Sequence, residues 1–209
     1  GTACTVLLAG FLGYMFTRET MWKRKLWYRF VVLTMYFNAG IIPWYITMNN
    51  LHLTNNFLGY ILPTLVSPFY IILTKTYVES IPRELQDAAE VDGAGTLKVF
   101  FSIILPIIKP ILATVAIFAA VGQWNSYFNA LIYIRSESLQ PLQIVLRSIL
   151  VGNQTMSAMS TGAAAVEAKQ MADLIKYAII VVSSAPIMCM YPLVQKYFNQ
   201  GVMLGSLKG

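Results

Sequence analysis

Charge is scarce in this sequence. Only 11% of its 209 residues are Asp, Glu, Lys or Arg, against 57% hydrophobic residues and a mean hydropathy of +0.61. Soluble domains carry about 25% charge. The deficit argues against a soluble enzyme and for an integral membrane protein. Potential metal and disulfide chemistry is sparse too. Cys4 and Cys189 both lie in apolar runs, so they read as packing residues rather than a disulfide. His52 stands alone in a short polar loop, and a metal site needs several ligands. No long basic run and no interleaved aromatic-basic motif is present, so the net charge of +6 does not point to nucleic acid. No phosphate-cradling G-x-x-x-x-G-K-[ST] loop occurs. "GAGTLK" at 93–98 has its glycines and lysine at the wrong spacing. The chain therefore reads as no ATPase. Alternating ten-residue segments of a membrane barrel are missing. No basic segment and cleavage site precede the first apolar run, so that run is not expected to be a signal peptide. The chain begins with Gly inside that run, and is expected to be a fragment lacking its natural N-terminus.

What is present is a set of long apolar runs. A spanning helix needs roughly 20 such residues. Five spans are expected, at about 1–17, 28–47, 57–76, 108–133 and 174–193. The fold class is thus an all-α integral membrane protein, a polytopic helical bundle. None of the nine acids lies centrally in a span, which disfavours an ion-coupled secondary transporter. Pro43, Pro63, Pro68 and Pro186 fall inside spans, where neighbouring groups can re-satisfy the carbonyls they free. Such breaks line transport pathways in some membrane proteins and are ordinary in others.

Basic residues set the orientation. The loop 18–27 and its flank hold Arg18, Lys23, Arg24, Lys25 and Arg29, whereas the loop 48–56 holds none. The segment 75–109 holds Lys75, Arg83, Lys98 and Lys109. The segment 134–173 holds Arg135, Arg147 and Lys169, and the tail holds Lys196 and Lys208. The positive-inside bias places 18–27, 75–109 and the C-terminus in the cytoplasm. The segment 134–173 is then an extracytoplasmic loop, with an amphipathic "PLQIVLRSILVG" and a helix-favouring "TGAAAVEAKQMADLI". It is either a connector or a surface for an outside partner.

One stretch does not look like membrane. "SIPRELQDAAEVDGAG" offers Ser80 as an N-cap, Pro82 in a first turn and Gly93 as a stop. Leu85, Ala88, Ala89 and Asp92 recur at helical spacing and make a small stripe. Glu84, Asp87 and Glu90 flank it with negative charge. Thr96 can cap a second helix that returns to the membrane, with Pro106 and Pro110 at the bend. A solvated connector would suffice to explain the segment, but the Ala face suits close docking of another surface.

Polar residues inside spans form two further groups. One is Tyr36 and Asn38, and the other is "GQWNSYFN" with Gln123, Trp124, Asn125, Ser126, Tyr127 and Asn129. Amides for hydroxyls and aromatic faces for C–H patches suit a sugar. The same residues also serve as an interfacial belt or as hydrogen bonds between helices.

"DAAEVDGAGTLKVFFSIILPIIKP" resembles the EAA motif of ABC importer permeases, E-A-A-x-x-x-G followed after about nine residues by I-x-L-P. Asp87, Ala88, Ala89, Gly93, Ile103, Leu105 and Pro106 match, with Asp87 where Glu is usual. "ILPTLVSPFYIILTKTYVESIPRELQDAAEVDGA", "AVGQWNSYFNALIYI", "LQPLQIVLRSIL" and "QKYFNQGVMLGSLKG" extend the resemblance along most of the chain. They are similar to the carbohydrate-uptake, maltose-permease-like branch, and within it to oligosaccharide permeases of the second subunit type. The resemblance implies a type I importer fold with six spans in a full chain and a single transmembrane domain over 1–209. It implies a cytoplasmic coupling loop over 80–106 and a cytoplasmic tail over 194–209 near the ATPase. Coupling would fall to Arg83, Glu84, Asp87, Ala88, Ala89, Asp92, Gly93 and Pro106. The partners implied are a homologous second permease, two ATPase subunits, an extracytoplasmic sugar-binding protein and membrane lipid. This chain would need no cofactor, and ATP with Mg would bind the partner ATPase. Uptake of another solute, or a non-transporting scaffold, are the other readings.

Overall fold

A computed structural model describes residues 1–159 and 163–206. All the regular structure among them is helical. The α-helices are α1 (Thr2–Met15), α2 (Arg24–Thr34), α3 (Ile41–Asn50), α4 (Leu58–Ile61), α5 (Pro68–Glu79) and α6 (Glu84–Val91). They continue with α7 (Thr96–Val99), α8 (Leu105–Ile107), α9 (Lys109–Trp124), α10 (Tyr127–Tyr133), α11 (Leu142–Met159) and α12 (Ala163–Ser206). A 3-10 turn at Leu62–Thr64 extends α4, and a π-helical turn at Phe100–Ile104 joins α7 to α8.

Prolines set two of the breaks. Pro68 and Pro110 sit in the first turns of α5 and α9, where a missing N–H costs little. Ser67, forced out of the helical region by the following proline, is extended at φ −110° and ψ 118°. The chain bends 47° between Leu58–Thr64 and Pro68–Glu79, and 80° between Thr96–Ile107 and Lys109–Trp124.

α1 is the centre of the packing and lies against both α5 and α9. Its buried face is Thr5, Ala9, Gly10, Gly13 and Tyr14. A Cβ on Gly13 would stand 2.8 Å from Thr74 Cβ and 3.1 Å from the backbone nitrogen of Lys75. Small residues of this kind let helices in a membrane approach closely. Thr5 adds a hydroxyl bond to the carbonyl of Thr64 at 3.1 Å. Below Gly13 the main core gathers Tyr14, Val78, Ile81, Val99, Phe100, Ile104, Ile108 and Leu112. Phe100 stacks on Tyr14 at 5.5 Å and meets Phe11 edge-on at 5.4 Å.

The two ends of α1 mark the two ends of the bundle. Near its start, Gln123 bonds Thr64, and Tyr60 donates to the Leu139 carbonyl. Asn55 Oδ1 there accepts from the backbone N–H groups of Arg135 and Ser136 at 3.1 and 2.8 Å. Segments 51–57 and 134–139 therefore share one end. At the other end, Arg18 and Glu19 meet residues of α6 and the turn before it.

Several expectations need correction. The run 28–47 is not one span. It breaks at 35–40, where Asn38 Oδ1 accepts from Gly40 N–H at 2.9 Å and Gly40 takes φ +84°. That local turn competes with the helix ladder, and apolar averaging cannot see it. The run 108–133 divides after Trp124. α12 begins well before Leu174 and has 44 residues, so most of the expected 134–173 loop is helix continuous with or packed on it. Among the described residues one helix, Val166–Pro192, is long and apolar enough to cross a membrane, or three if each bent pair counts. α1 is apolar but has 14 residues. Ser80 ends α5 and does not start α6, whose N-cap is Arg83. Thr96 is the first residue of α7, and Gly95 is its cap. Cys4 and Cys189 are free and exposed, not packed inside. The expected tail over 194–209 has a helical backbone to Ser206, and its last residues, 207–209, lie outside the described residues.

The glycines of α1 provide a test. Gly13→Val should lower the thermal melting temperature of the purified protein in detergent, by overpacking of about 1–3 kcal/mol. Gly122→Ala, where an added Cβ meets nothing within 4 Å, should leave melting unchanged or slightly raised. Equal melting for Gly13→Val and the parent would refute the close α1–α5 contact.

Candidate functional site

α6 stands at the Arg18 end of the bundle as an eight-residue helix between α5 and α7. Glu84 and Asp87 occupy its first turn, where the helix dipole favours negative charge. Its end is tightly defined. Gly93 takes φ +78°, its N–H bonds the Glu90 carbonyl at 3.0 Å, and Ala94 N–H bonds the Ala89 carbonyl at 2.9 Å. These two bonds are the Schellman pattern, which glycine serves because it lacks a Cβ. Ala89 and Ala94 then pack on the main core, so the stop also anchors the helix.

The two faces of α6 differ. Leu85, Ala88, Val91, Asp92 and Gly93 are exposed, and Val91 is 88% exposed. Of the expected stripe, Ala89 alone turns inward. The inner face carries Gln86 and Glu90. Gln86 is buried, and Glu90 forms an ion pair with Arg18. Arg18 Nη1 also lies 3.5 Å from Gln86 Oε1. Glu90 is thus neutralised, and the free negative charge on α6 belongs to Glu84, Asp87 and Asp92. Arg83, just before α6, donates to Glu19 at 2.8 Å, and Arg24 lies 3.7 Å from the same carboxylate. The Arg83 hydrogen bond, then the Arg83 and Arg24 charges, holds the Glu19 carboxyl below its usual range. Both partners are exposed, so the pair adds little stability. That small contribution is present above the ordinary carboxylate range and is lost as pH falls through the lowered value. A cleft of about 440 Å³ lies between the 17–20 turn, the end of α5 and α6, with Arg18, Glu79, Asp87 and Glu90 among its walls. Pro106 lies far along the return, in the turn of α8 before the 80° bend.

The second group of expected residues lies near the opposite end. Gln123 Nε2 donates to Thr64 Oγ1 at 2.5 Å, and Trp124 Nε1 donates to the Ser183 carbonyl at 3.0 Å. Gln123 thereby joins α9 to the α4 turn, and Trp124 joins α9 to α12. Both border an apolar cleft of about 330 Å³ that also touches Thr2, Pro186 and Met190. Asn125 and Asn129 are exposed, and their amides make no hydrogen bond among the described residues. Tyr127 lies under the Arg147 guanidinium, 5.5 Å from its ring centre. Tyr36, 77% exposed, and Asn38 sit in the 35–40 break. No hydrogen bond among the described residues joins them to the 123–129 group.

A family described as "Binding-protein-dependent transport system inner membrane component" matches residues 6–204. The chain belongs to this family. It is a membrane permease subunit. Protein LplC of Bacillus subtilis (strain 168) is 37% identical to the permease over 210 residues, covering 100% of this chain and 70% of its own. The polygalacturonan/rhamnogalacturonan transport system permease protein YtcP of the same organism is 36% identical over 213 residues, covering 100% and 73%. The arabinooligosaccharides transport system permease protein AraQ of Halalkalibacterium halodurans is 28% identical over 209 residues, covering 98% and 68%.

Sequence reading misses Arg18, Glu19 and Gln86 as parts of the α6 surroundings. Arg18 was visible only as one of several basic residues beyond the first span. The spacing of Gln86 and Glu90, one turn apart, was the available signal on α6.

The 123–129 group is testable in the permease. Gln123→Leu and Trp124→Phe should each destabilise it by about 1 kcal/mol, the usual scale of a hydrogen bond between membrane helices. Asn125→Ala and Asn129→Ala should melt like the parent, because nothing in the bundle depends on them. Thermal unfolding in detergent separates the two pairs. Equal losses in all four would remove the distinction between structural and free amides.

Proposed function

We propose that this permease belongs to an ATP-driven importer of sugars or oligosaccharides, and that α6 is its coupling helix. The observation that carries the reading is α6 itself. It is short, sharply stopped at Gly93, anchored on one face and open on the other. A surface built from Leu85, Ala88, Val91 and Asp92 has no cover among the described residues. An ATPase subunit is the occupant that fits, since this chain carries no phosphate loop. Two such ATPases would hold ATP and Mg, and a homologous second permease would complete the membrane path.

The basic residues of 18–27 and 75–109 support a cytoplasmic α6 and C-terminus. The segment at the opposite end, with 134–139 held by Asn55, then faces an extracytoplasmic binding protein. Sugar as the cargo is supported by relatives whose names specify polygalacturonan/rhamnogalacturonan and arabinooligosaccharides. Asn125, Tyr127 and Asn129 are the best placed to meet it, being exposed near the end where substrate would arrive. Gln123 and Trp124 shape the same region by joining helices, and Tyr36 and Asn38 lie on a separate break. The mechanism is alternating access. Closure of the ATPases displaces α6, and the helices attached to it reorient the path.

Gly93→Val tests the coupling role. A β-branched residue at φ +78° is strained by roughly 1–2 kcal/mol. Sugar uptake into cells or proteoliposomes should fall, with either loss of ATPase co-purification or hydrolysis without uptake. Normal assembly and normal uptake would sink the coupling role of this loop.

A further inference from the structure

A helix of eight residues can move a bundle only through its attachments. α6 has four. The chain connects it to α5 through the turn 80–83 and to α7 through the turn 92–95, Ala89 and Ala94 rest on the apolar core, and Arg18 grips it from the end of α1. The alanine contacts are apolar and without direction. The Arg18 contact is directional.

Arg18 is held at the tip of α1. Thr17 N–H bonds the Tyr14 carbonyl at 2.9 Å, and Arg18 N–H bonds the Met15 carbonyl at 3.2 Å. The backbone therefore continues the helix as a tight turn. The Arg18 side chain is 11% exposed. Its guanidinium carbon lies 5.9 Å from the Tyr14 ring centre, and Tyr14 is itself stacked on Phe100. From there it reaches Glu90 by an ion pair and Gln86 at 3.5 Å. Gln86 and Glu90 are one turn apart on a single face, so one planar fork addresses both. Arg18 Nε is buried with no partner among the described residues. The Glu90 carboxylate is then the chief compensation for a nearly buried cation, and separating the two leaves that charge uncompensated.

We propose that Arg18 is the positioning residue that carries movement of α6 into α1. It acts through Glu90 and rests on the coupling reading given above. When α6 is pushed, Glu90 and Arg18 move as one unit. The turn at 15–18 passes that displacement to α1, and the contact at Gly13 passes it on to α5. Arginine suits the place because lysine offers one point charge, and cannot lie over Tyr14 while addressing two acceptors.

The test uses the full transporter in proteoliposomes with its ATPase subunits, binding protein and sugar. The readout is sugar taken up per ATP hydrolysed. Arg18→Met and Glu90→Gln should each lower that ratio about tenfold, within the usual range of coupling between sites. The double variant should be no worse than either single one, as expected for residues that act as a pair. Arg18→Lys should fall between. A parental ratio in either Arg18→Met or Glu90→Gln overturns the proposal, and so do independent losses that multiply in the double variant. If Arg18→Met fails to assemble, Arg18→Lys takes its place in the cycle. Glu90 is more than a third exposed, so Glu90→Gln folds on its own account. A parent complex without ATP-dependent uptake would sink the coupling reading itself. A well-coupled parent with unaffected variants would sink only the role of Arg18.

Discussion

The close contact of α1 with α5 at Gly13 is the constraint on which the rest depends. No side chain longer than hydrogen fits between the α1 backbone and Thr74 with Lys75. Because the helices meet there, Tyr14 is pressed into the core one residue later and Phe100 can stack on it. Because Tyr14 is fixed, the following turn holds Arg18 over α6. A wider separation would swing the tip of α1 away from Gln86 and Glu90, and both ends of the ion pair would return to solvent. The position of α6 is therefore decided, in part, by a glycine on α1.

Backbone accounting explains the rest of the architecture. In lipid, a carbonyl without a partner is costly, so breaks are confined to places where something else serves. Pro68 and Pro110 start helices, where no bond is lost. The π turn at Phe100–Ile104 lies just before Pro106, a residue that cannot donate. The 80° bend that follows lies beneath Ile104, Ile108 and Leu112, all of them buried. Bends placed this way are supported by packing on the inside, and the segment Thr96–Ile107 and α9 are held at a set angle.

The features legible in the sequence are those decided locally. Gly93 as a stop, the Ala-rich helix before it and the bend near Pro106 and Pro110 follow from backbone preferences that need no distant partner. The break at 35–40 was illegible because an apolar window averages over Asn38 and Gly40. Its turn depends on a single side-chain bond. The polar–aromatic cluster at 123–129 was visible as a cluster, yet its division was not. Gln123 and Trp124 are separated from Asn125 and Asn129 by which partners lie opposite, and Thr64 and Ser183 are far away in the chain. Arg18 shows the same limit. Nothing in "TRETMWKRK" distinguishes it from its basic neighbours, and only the fold brings it to Glu90.

The charges around α6 then make physical sense as a division of labour. Glu90, still partly exposed, is spent on Arg18, whose side chain is nearly buried, through a charge-assisted bond. Glu19 and Arg83 pair in the open, where solvent screens them and little energy is at stake. Glu84, Asp87 and Asp92 remain for whatever docks from outside. A docking helix needs both properties together. Its outer face must release and rebind without large cost, while its inner face must not let go. The exposed acids and small residues satisfy the first demand, and the Arg18 pair with the Gly93 stop satisfies the second. Asp87, with a shorter reach than the glutamate usual at that place, belongs to the outer set. There a missing methylene leaves the anchoring of α6 intact, because that anchoring runs through Glu90, Ala89 and the Gly93 stop.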